Sequence, residues 1–233
     1  VFQKAIEKQS PGLRSGDLVR VLDPSQTLLG IGVYNETSLY RVRILAYPHE
    51  GLETLDAILH HRIRAAVNLR RTIGLPNPDT NAYRLINSEG DGLSGLTVDV
   101  YDNLLVISSS AYWVEHGKAQ ILESLQTETG FQTVLWRAQE KSLLQDGWTV
   151  TEKTPFPEIA LEVKEAGIRY QINFQQSQKT GLFFDQRDNR VDIARLCQGK
   201  SVLDLYCYAG GFSLQAAKAG ASKVLGIDSS AGA

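Results

Sequence analysis

The stretch from residue 201 to residue 230, SVLDLYCYAGGFSLQAAKAGASKVLGIDSS, constrains the fold of this chain more than any other feature. An apolar run breaks at a Gly-Gly pair and is followed by small and apolar residues up to Gly220, a typical helix stop. The short apolar run KVLGI then ends at Asp228. This order predicts a strand, a glycine turn, a helix and a parallel strand. Because ligands bind outside the carboxyl ends of parallel strands, Asp204, the turn and Asp228 are expected to meet at one site.

The residue types at this turn favour an adenosine-containing cofactor. A carboxylate at Asp228 can accept hydrogen bonds from both hydroxyls of a ribose, and two glycines allow a ligand to approach the backbone closely. The pyrophosphate fingerprint G-x-G-x-x-G is absent from YAGGFSL. An acid before the turn, Asp204, suits the ammonium and sulfonium of S-adenosylmethionine better than a pyrophosphate. S-adenosylmethionine is therefore expected, with a turn that binds no ligand as the alternative.

Composition excludes several classes of protein. The chain is 42% apolar and 21% charged, and it has neither a signal-peptide pattern nor an apolar run near the ~18 residues of a membrane span. Its two cysteines, Cys197 and Cys207, do not make a disulfide framework, which indicates reduced thiols and a cytoplasmic location. The net charge is +3 over residues 1–75, −8 over 76–165 and +3 over 166–233. Such a distribution is compatible with a nucleic-acid partner but does not require one.

The first third of the chain is predicted to begin with a small β domain. Apolar and polar residues alternate at a period of about two, which predicts strands at residues 17–22, 28–34 and 39–45. Arg41 and Arg43 would share one face of the third strand. That face is either solvated or in contact with phosphates, and the second interpretation makes both arginines candidate RNA-binding residues.

Residues 52–73 carry apolar side chains at spacings of three and four and predict a helix that Gly74 ends. Its polar face holds several arginines together with His60 and His61. Adjacent positions do not share a helix face, so the histidine pair is not expected to bind a metal.

The middle of the chain, residues 76–160, has an α+β pattern. It predicts a strand, a hairpin, a helix and a further strand, at residues 83–87, 96–108, 113–127 and 131–136. The acids Glu89, Asp91 and Asp99 accompany glycines and are interpreted as turn-forming rather than metal-binding residues. No metal site is predicted anywhere in the chain.

Two prolines, Pro155 and Pro157, mark a linker before the glycine-turn region. A hairpin over residues 160–174 is predicted next. The segment QKTGLFFDQRDNR then leads into a helix with Asp185 as its N-cap.

These motifs resemble a known family. VLDLYCYAGGFS and GIDSS look like motifs I and II of class I S-adenosylmethionine-dependent methyltransferases. QKTGLFFDQRDNR and YRLINSEGDGLSGLTVDVY are similar to segments of the PUA-domain 23S rRNA cytosine-5 methyltransferases, with Ser94 where the family pattern has a proline. YNETSLYRVRIL resembles the PUA domain itself. The resemblance covers nearly the whole chain in the same order.

The resemblance implies a multidomain fold of the α/β and α+β classes. It would comprise a PUA-like β domain at 1–50, a connecting helix at 51–75, a central α+β domain at 76–160 and the N-terminal part of a Rossmann-like methyltransferase domain at 161–233. The chain lacks Met and stops after the second strand of its βαβ pattern. We therefore expect it to be part of a longer protein.

Matched motif by motif, the resemblance also implies a set of cofactor-binding residues. Two of them have plain structural alternatives, core packing for Phe183 and pairing with Asp188 for Arg187. The whole set is Lys179, Thr180, Phe183, Arg187, Asp204, Tyr206, Tyr208, Gly210, Asp228 and Ser229.

The implied activity is methylation of carbon 5 of a cytosine in large-subunit ribosomal RNA. In the family a cysteine thiolate attacks carbon 6 of the base, and the catalytic residues are expected beyond Ala233. Cys207, within the cofactor motif, is interpreted as a packing residue. The alternatives are methylation of guanine nitrogen 7, a noncatalytic RNA-binding factor and, least favoured, a nicotinamide-dependent oxidoreductase. The expected partner is ribosomal RNA and not a membrane, and a homodimer is left open.

Overall fold

The computed structural model describes residues 1–151, 160–175 and 181–229. The chain divides into two compact units, residues 1–74 with 85–154 and residues 75–84 with 155–233. The division at 154 lies close to the predicted linker. The β domain, the connecting helix and most of the central domain share the first unit, so the finer domain boundaries given above stay a prediction.

The first unit begins with an antiparallel three-stranded sheet in the order β1-β2-β3. The strands are β1 (Leu18–Leu22), β2 (Leu28–Tyr34) and β3 (Val42–Ala46), with 3₁₀ turns at Gln3–Ala5 and Pro48–Glu50. The register of β2 against β3 shifts between Ile31 and Gly32. A Cβ on Gly32 would collide with the carbonyl group of Arg43.

The third strand begins later than its predicted start at residue 39. The Asn35 side chain accepts hydrogen bonds from the backbone N–H groups of Thr37 and Ser38, at 2.8 and 3.0 Å. The Ser38 hydroxyl accepts a further one from Tyr40 N, at 3.1 Å. Local side-chain bonds of this kind compete with a sheet ladder, so residues 35–40 form a turn.

The predicted connecting helix is α1 (Leu55–Thr72). The Thr54 side chain accepts a hydrogen bond from Ala57 N at 3.2 Å and thereby caps its first turn. Ile58, Leu59 and Ile63 are fully buried. The helix therefore has the amphipathic character that its sequence period predicts.

A four-stranded sheet has the order β4-β5-β6-β7, and all of it except residues 82–84 of β4 belongs to the first unit. Its strands are β4 (Ala82–Asn87), β5 (Leu96–Tyr101), β6 (Leu104–Ser109) and β7 (Thr133–Ala138), with a 3₁₀ turn at Ser88–Asp91. β5 and β6 form the predicted antiparallel hairpin, and β7 runs parallel to β6. The predicted helix is two helices that meet at Gly117, α2 (Tyr112–His116) and α3 (Lys118–Thr129). A further helix, α4 (Glu140–Gln145), was not predicted.

The second unit carries the predicted hairpin and the βαβ element. The antiparallel strands β8 (Ala160–Glu165) and β9 (Ile168–Asn173) precede α5 (Arg187–Ala194), β10 (Ser201–Leu205), α6 (Gly211–Lys218) and β11 (Lys223–Ile227). β10 and β11 pair in parallel, with Asp204 opposite Gly226. The strand, glycine turn, helix and parallel strand inferred from the sequence are therefore confirmed.

The predicted N-cap of α5 is wrong. Asp185 lies inside a 3₁₀ turn, Phe184–Gln186, and Gln186 precedes the helix without a side-chain cap. Because this turn occupies the residues that the helix was expected to use, α5 begins at Arg187.

Candidate functional site

The turn after β10 has a strained backbone. Tyr206, Tyr208 and Gly210 have φ angles of 59°, 48° and 71°, in the left-handed region. Glycine adopts such angles freely, whereas a tyrosine there costs on the order of 1–3 kcal/mol, and such residues cluster at binding and active sites. The turn is fixed by hydrogen bonds from Cys207 N to Ile227 O at 3.2 Å and from Gly210 N to Cys207 O at 2.8 Å.

Of the two aspartates predicted to meet at the strand ends, Asp228 bonds the turn and Asp204 bonds the helix that follows it. Asp228 Oδ2 accepts a hydrogen bond from Tyr208 N at 2.8 Å. Asp204 Oδ2 accepts two from Ser213, from its backbone N at 3.0 Å and from its Oγ at 2.8 Å. Asp204 therefore stabilises the first turn of α6, a role that the sequence did not indicate. Its predicted place beside the cationic end of a ligand stays a prediction.

A cavity of about 180 Å³ opens at this turn. Its walls come from the turn, from the first residues of α6, from β9 and from residues 182–190. They are Tyr170, Leu182, Phe183, Gln186, Arg190, Tyr206, Cys207, Tyr208, Ala209, Gly211 and Phe212.

Two aromatic side chains fix the shape of this cavity. The ring of Phe183 packs edge-on against that of Tyr208, with 5.2 Å between their centroids. The Tyr208 hydroxyl donates a hydrogen bond to Gly181 O at 2.9 Å. Tyr206, by contrast, is 88% exposed at the rim. The Tyr206 ring is therefore accessible at the rim, and Phe183 and Tyr208 form a rigid aromatic wall. This arrangement is suited to binding a planar ring.

The structure brings most of the predicted cofactor residues together. Phe183, Tyr206 and Tyr208 line the cavity, and Gly210 belongs to the same turn. Asp204 and Asp228 contact this turn or the helix after it, and Ser229 is exposed next to Asp228. Lys179 and Thr180 lie outside the described residues.

Arg187 is not among the residues that line the cavity. Its Nε lies 2.9 Å from Asp188 Oδ1, which is the pairing considered as the alternative to a cofactor role. The Arg187 guanidinium lowers the pKa of the Asp188 carboxyl. A cofactor role for Arg187 stays a prediction that this contact does not support.

The two arginines predicted to bind RNA both make intramolecular contacts. Arg41 is buried, and its Nη1 donates to the carbonyl oxygens of Asn35, at 3.1 Å, and Glu36. Arg43 donates to Ser94 Oγ at 2.9 Å and pairs with Asp146 at 3.3 Å. Because both side chains are engaged within the protein, a phosphate role for Arg41 and Arg43 stays a prediction that these contacts do not support.

Most arginines of α1 are also paired. Arg62, Arg64 and Arg70 form ion pairs with acids of the same unit, Glu50 at 2.6 Å, Glu128 at 2.8 Å and Asp91 at 2.6 Å. The Arg64 guanidinium lowers the pKa of the Glu128 carboxyl. Asp91, one of the three acids interpreted as turn residues, therefore also anchors the helix.

Neither metal binding nor a reactive cysteine is indicated by the geometry. No group of three histidine, cysteine or acidic side chains that could hold a metal ion occurs among residues 1–151, 160–175 and 181–229. A Cβ on Gly226 would lie 3.1 Å from Cys207 Sγ, so Cys207 packs closely against β11. This contact agrees with the interpretation of Cys207 as a packing residue.

Sequence reasoning missed three features of this site. Tyr170 and Arg190 are cavity residues that come from β9 and α5, and their burial has no local sequence signal. Burial raises the pKa of Tyr170 to about 12, with Glu165 contributing in the same direction. Glu165 itself is fully buried, and burial raises its pKa.

Residues 147–233, which include this site, match the family described as S-adenosylmethionine-dependent methyltransferase. Residues 1–47 match the PUA-like domain family. The expected cofactor, S-adenosylmethionine, and the expected multidomain α/β fold with an N-terminal PUA-like domain are thereby confirmed.

Solved structures show the same fold. A candidate S-adenosylmethionine-dependent methyltransferase from Streptococcus mutans superposes with a TM-score of 0.73 at 21% identity, over 94% of this chain and 56% of that one. A candidate methyltransferase complexed with S-adenosylhomocysteine gives 0.74 at 21% identity, with the same coverage.

Similar sequences extend over nearly the whole of this chain. A ribosomal RNA large subunit methyltransferase from Deinococcus radiodurans is 34% identical and matches 99% of this chain and 58% of its own length. A ribosomal RNA large subunit methyltransferase I from Shewanella frigidimarina is 33% identical, with coverage of 98% and 58%. The chain thus spans a little over half the length of these relatives. Among the described residues, no helix is long and apolar enough to cross a membrane.

Proposed function

We propose that this protein is an S-adenosylmethionine-dependent methyltransferase that acts on large-subunit ribosomal RNA. The observation that carries the proposal is the cavity at the β10–α6 turn, which lies within the region that matches the methyltransferase family. The relatives that match nearly all of this chain are named as methyltransferases of that RNA.

The residues around the cavity fit S-adenosylmethionine. Tyr206, Tyr208 and Phe183 offer aromatic surface for the adenine. Asp228 follows β11, and a carboxylate can accept several hydrogen bonds, so its bond to Tyr208 N is compatible with contact to a ribose. When bound, the cofactor would supply an electrophilic methyl group on its sulfonium. The protein residues would hold the adenosine and exclude water from one side of it.

The other predicted cofactor residues belong to the same proposal. Lys179, Thr180 and Ser229 flank the cavity elements in the sequence, and Asp204 would act beside the methionine end while holding Ser213. Arg187 is the weakest member of the set because of its contact with Asp188.

We propose carbon 5 of a cytosine as the methylated position, on the strength of the motif resemblance described above. The partner would be ribosomal RNA, which implies a cytoplasmic location. The PUA-like domain supports an RNA substrate. Arg41 and Arg43 remain the proposed contact residues, although their guanidinium groups also bond within the protein. A homodimer remains part of this proposal, and the oligomeric state of the purified protein tests it.

The test is a methyl-transfer assay of the full-length protein with isotope-labelled S-adenosylmethionine and large-subunit ribosomal RNA from cells that lack this protein, followed by mass spectrometry of the nucleosides. Labelled 5-methylcytidine is the expected product. Labelled 7-methylguanosine would move the reaction to the guanine alternative. Binding of S-adenosylhomocysteine without any transfer to RNA would favour the noncatalytic factor and contradict the proposal.

A further inference from the structure

Arg190 is a buried arginine next to the cofactor cavity to which neither the motifs nor the comparisons assign a role. Its side chain is 8% exposed, and that of its partner Glu165 is 1% exposed. Arg190 Nη1 donates to Glu165 Oε1 at 2.5 Å. Arginine and glutamate are rarely buried to this extent unless they are paired, so the two side chains form one unit.

A second hydrogen bond connects Arg190 to the wall of the cavity. Its Nη2 donates to the carbonyl oxygen of Phe183 at 2.9 Å. Phe183 is the residue whose ring packs against Tyr208, 5.2 Å between centroids. The backbone position of this wall residue is therefore held by Arg190.

A third contact joins Arg190 to the first turn of α6. A Cβ on Gly211 would lie 2.5 Å from Arg190 Nε, so the guanidinium occupies the space that a larger residue at this position would fill. The guanidinium carbon also lies 5.8 Å from the centroid of the Phe212 ring. Gly211 and Phe212 both line the cavity.

We propose that Arg190, held by Glu165, is a positioning residue of the cofactor cavity, and that it acts by fixing the Phe183 backbone and the start of α6. This inference rests on the proposed function, because it concerns the S-adenosylmethionine site. A purely structural role is the alternative. Buried ion pairs often contribute no more to stability than apolar residues of the same volume, so stability alone does not explain the pair.

The test is calorimetric titration of S-adenosylhomocysteine into the wild type and two variants. Lysine has no planar fork that could bond Glu165 and Phe183 together. Arg190→Lys should therefore weaken binding by about 10-fold or more, as expected for the loss of one or two charge-assisted hydrogen bonds. Glu165→Gln keeps the shape and one acceptor, and Glu165 does not line the cavity. It should weaken binding by roughly 3-fold, and it keeps the inference testable if Arg190→Lys does not fold.

The matched control is a destabilising change in the same unit that leaves Arg190 in place. Ile172 is buried in β9 opposite Leu161, and its replacement by valine or alanine lowers stability through lost packing. The replacement that lowers Tm as much as Arg190→Lys is chosen. Its affinity for S-adenosylhomocysteine should stay within about 2-fold of the wild type, since additivity holds for independent sites.

The results separate the two claims. Equal loss of affinity in Arg190→Lys and in the Ile172 control would overturn the positioning role. Wild-type affinity in the folded Arg190→Lys and Glu165→Gln proteins would overturn it as well. Absence of binding in the wild type would instead contradict the proposed cofactor site, and the inference would fall with it.

Discussion

Arg43 provides a direct test of whether the basic residues near the N-terminal sheet serve the fold or an RNA. Its guanidinium pairs with Asp146 at 3.3 Å and donates to Ser94 Oγ at 2.9 Å. It also lies 5.2 Å from the centroid of the Tyr40 ring. The side chains of Arg43 and Asp146 are 16% and 6% exposed. Arg43→Gln would therefore leave a nearly buried carboxylate without its cation.

The size of the effect follows from this geometry. Removing one partner of a fully buried pair costs about 3–5 kcal/mol. Here the pair is partly exposed, and Asp146 keeps a hydrogen bond from Tyr112 N at 2.9 Å, so the cost should be lower, about 2–3 kcal/mol. For a chain of this size each kcal/mol shifts Tm by about 2–4 °C, which gives a fall of roughly 4–12 °C.

The assay is thermal and urea unfolding followed by circular dichroism, with Arg20→Gln as the control. Arg20 is an exposed arginine of β1 in the same sheet, and its replacement should change stability by no more than about 0.5 kcal/mol. If Arg43→Gln unfolds at the same temperature as Arg20→Gln but binds RNA more weakly with a reduced salt slope, the structural interpretation is wrong and Arg43 contacts phosphate.

Two further predictions concern other carboxylates. Because Arg64 lowers the pKa of Glu128, this pair contributes stability above about pH 4.5 that is lost as the pH falls through the folded-state pKa. Glu128→Gln should make Tm less dependent on pH below that value, and an unchanged acid profile would contradict this. Asp204→Ala should destabilise α6 by about 1–2 kcal/mol, because it removes the oxygen that accepts both hydrogen bonds from Ser213, whereas Ser213→Ala removes only the hydroxyl donor and should cost less. Equal urea midpoints for the two variants would refute that ordering.

The sequence predicted the parts of the fold that depend on local pattern. Period-two alternation located the hairpin of β5 and β6, and the Gly-Gly break between apolar runs located β10, α6 and β11. The family resemblance predicted which residues bind the cofactor, and three of them, Phe183, Tyr206 and Tyr208, line one cavity. Elements with a strong local signal were thus the predictable ones.

Contacts between residues far apart in the chain were not predictable in the same way. The acidic partners of Arg43 and Arg190 were not predicted from the sequence. These partners, Asp146 and Glu165, lie on separate elements. No local period shows that a distant acid will be buried beside an arginine, so the pairing of Arg43 with Asp146 and the buried position of Arg190 required the structure.

Two predicted boundaries were wrong because a local turn replaced regular structure. The Asn35 side chain delays β3 until Val42. A 3₁₀ turn at Phe184–Gln186 removes Asp185 from its predicted N-cap position. In both cases a local turn forms in place of the longer strand or helix that the sequence predicted.

The central claim is that the β10–α6 turn and Asp228 bind S-adenosylmethionine, and the affinity for S-adenosylhomocysteine tests it most directly. Calorimetry should show one site in the wild type. Asp228→Ala should weaken it on the order of 10- to 100-fold, since hydrogen bonds to charged groups contribute about 1.5–3 kcal/mol. Asp192→Ala, which removes an exposed acid paired with Arg195 at 3.0 Å, is the control and should bind as the wild type does. Wild-type affinity in a folded Asp228→Ala protein, or no binding in the wild type, would contradict the account.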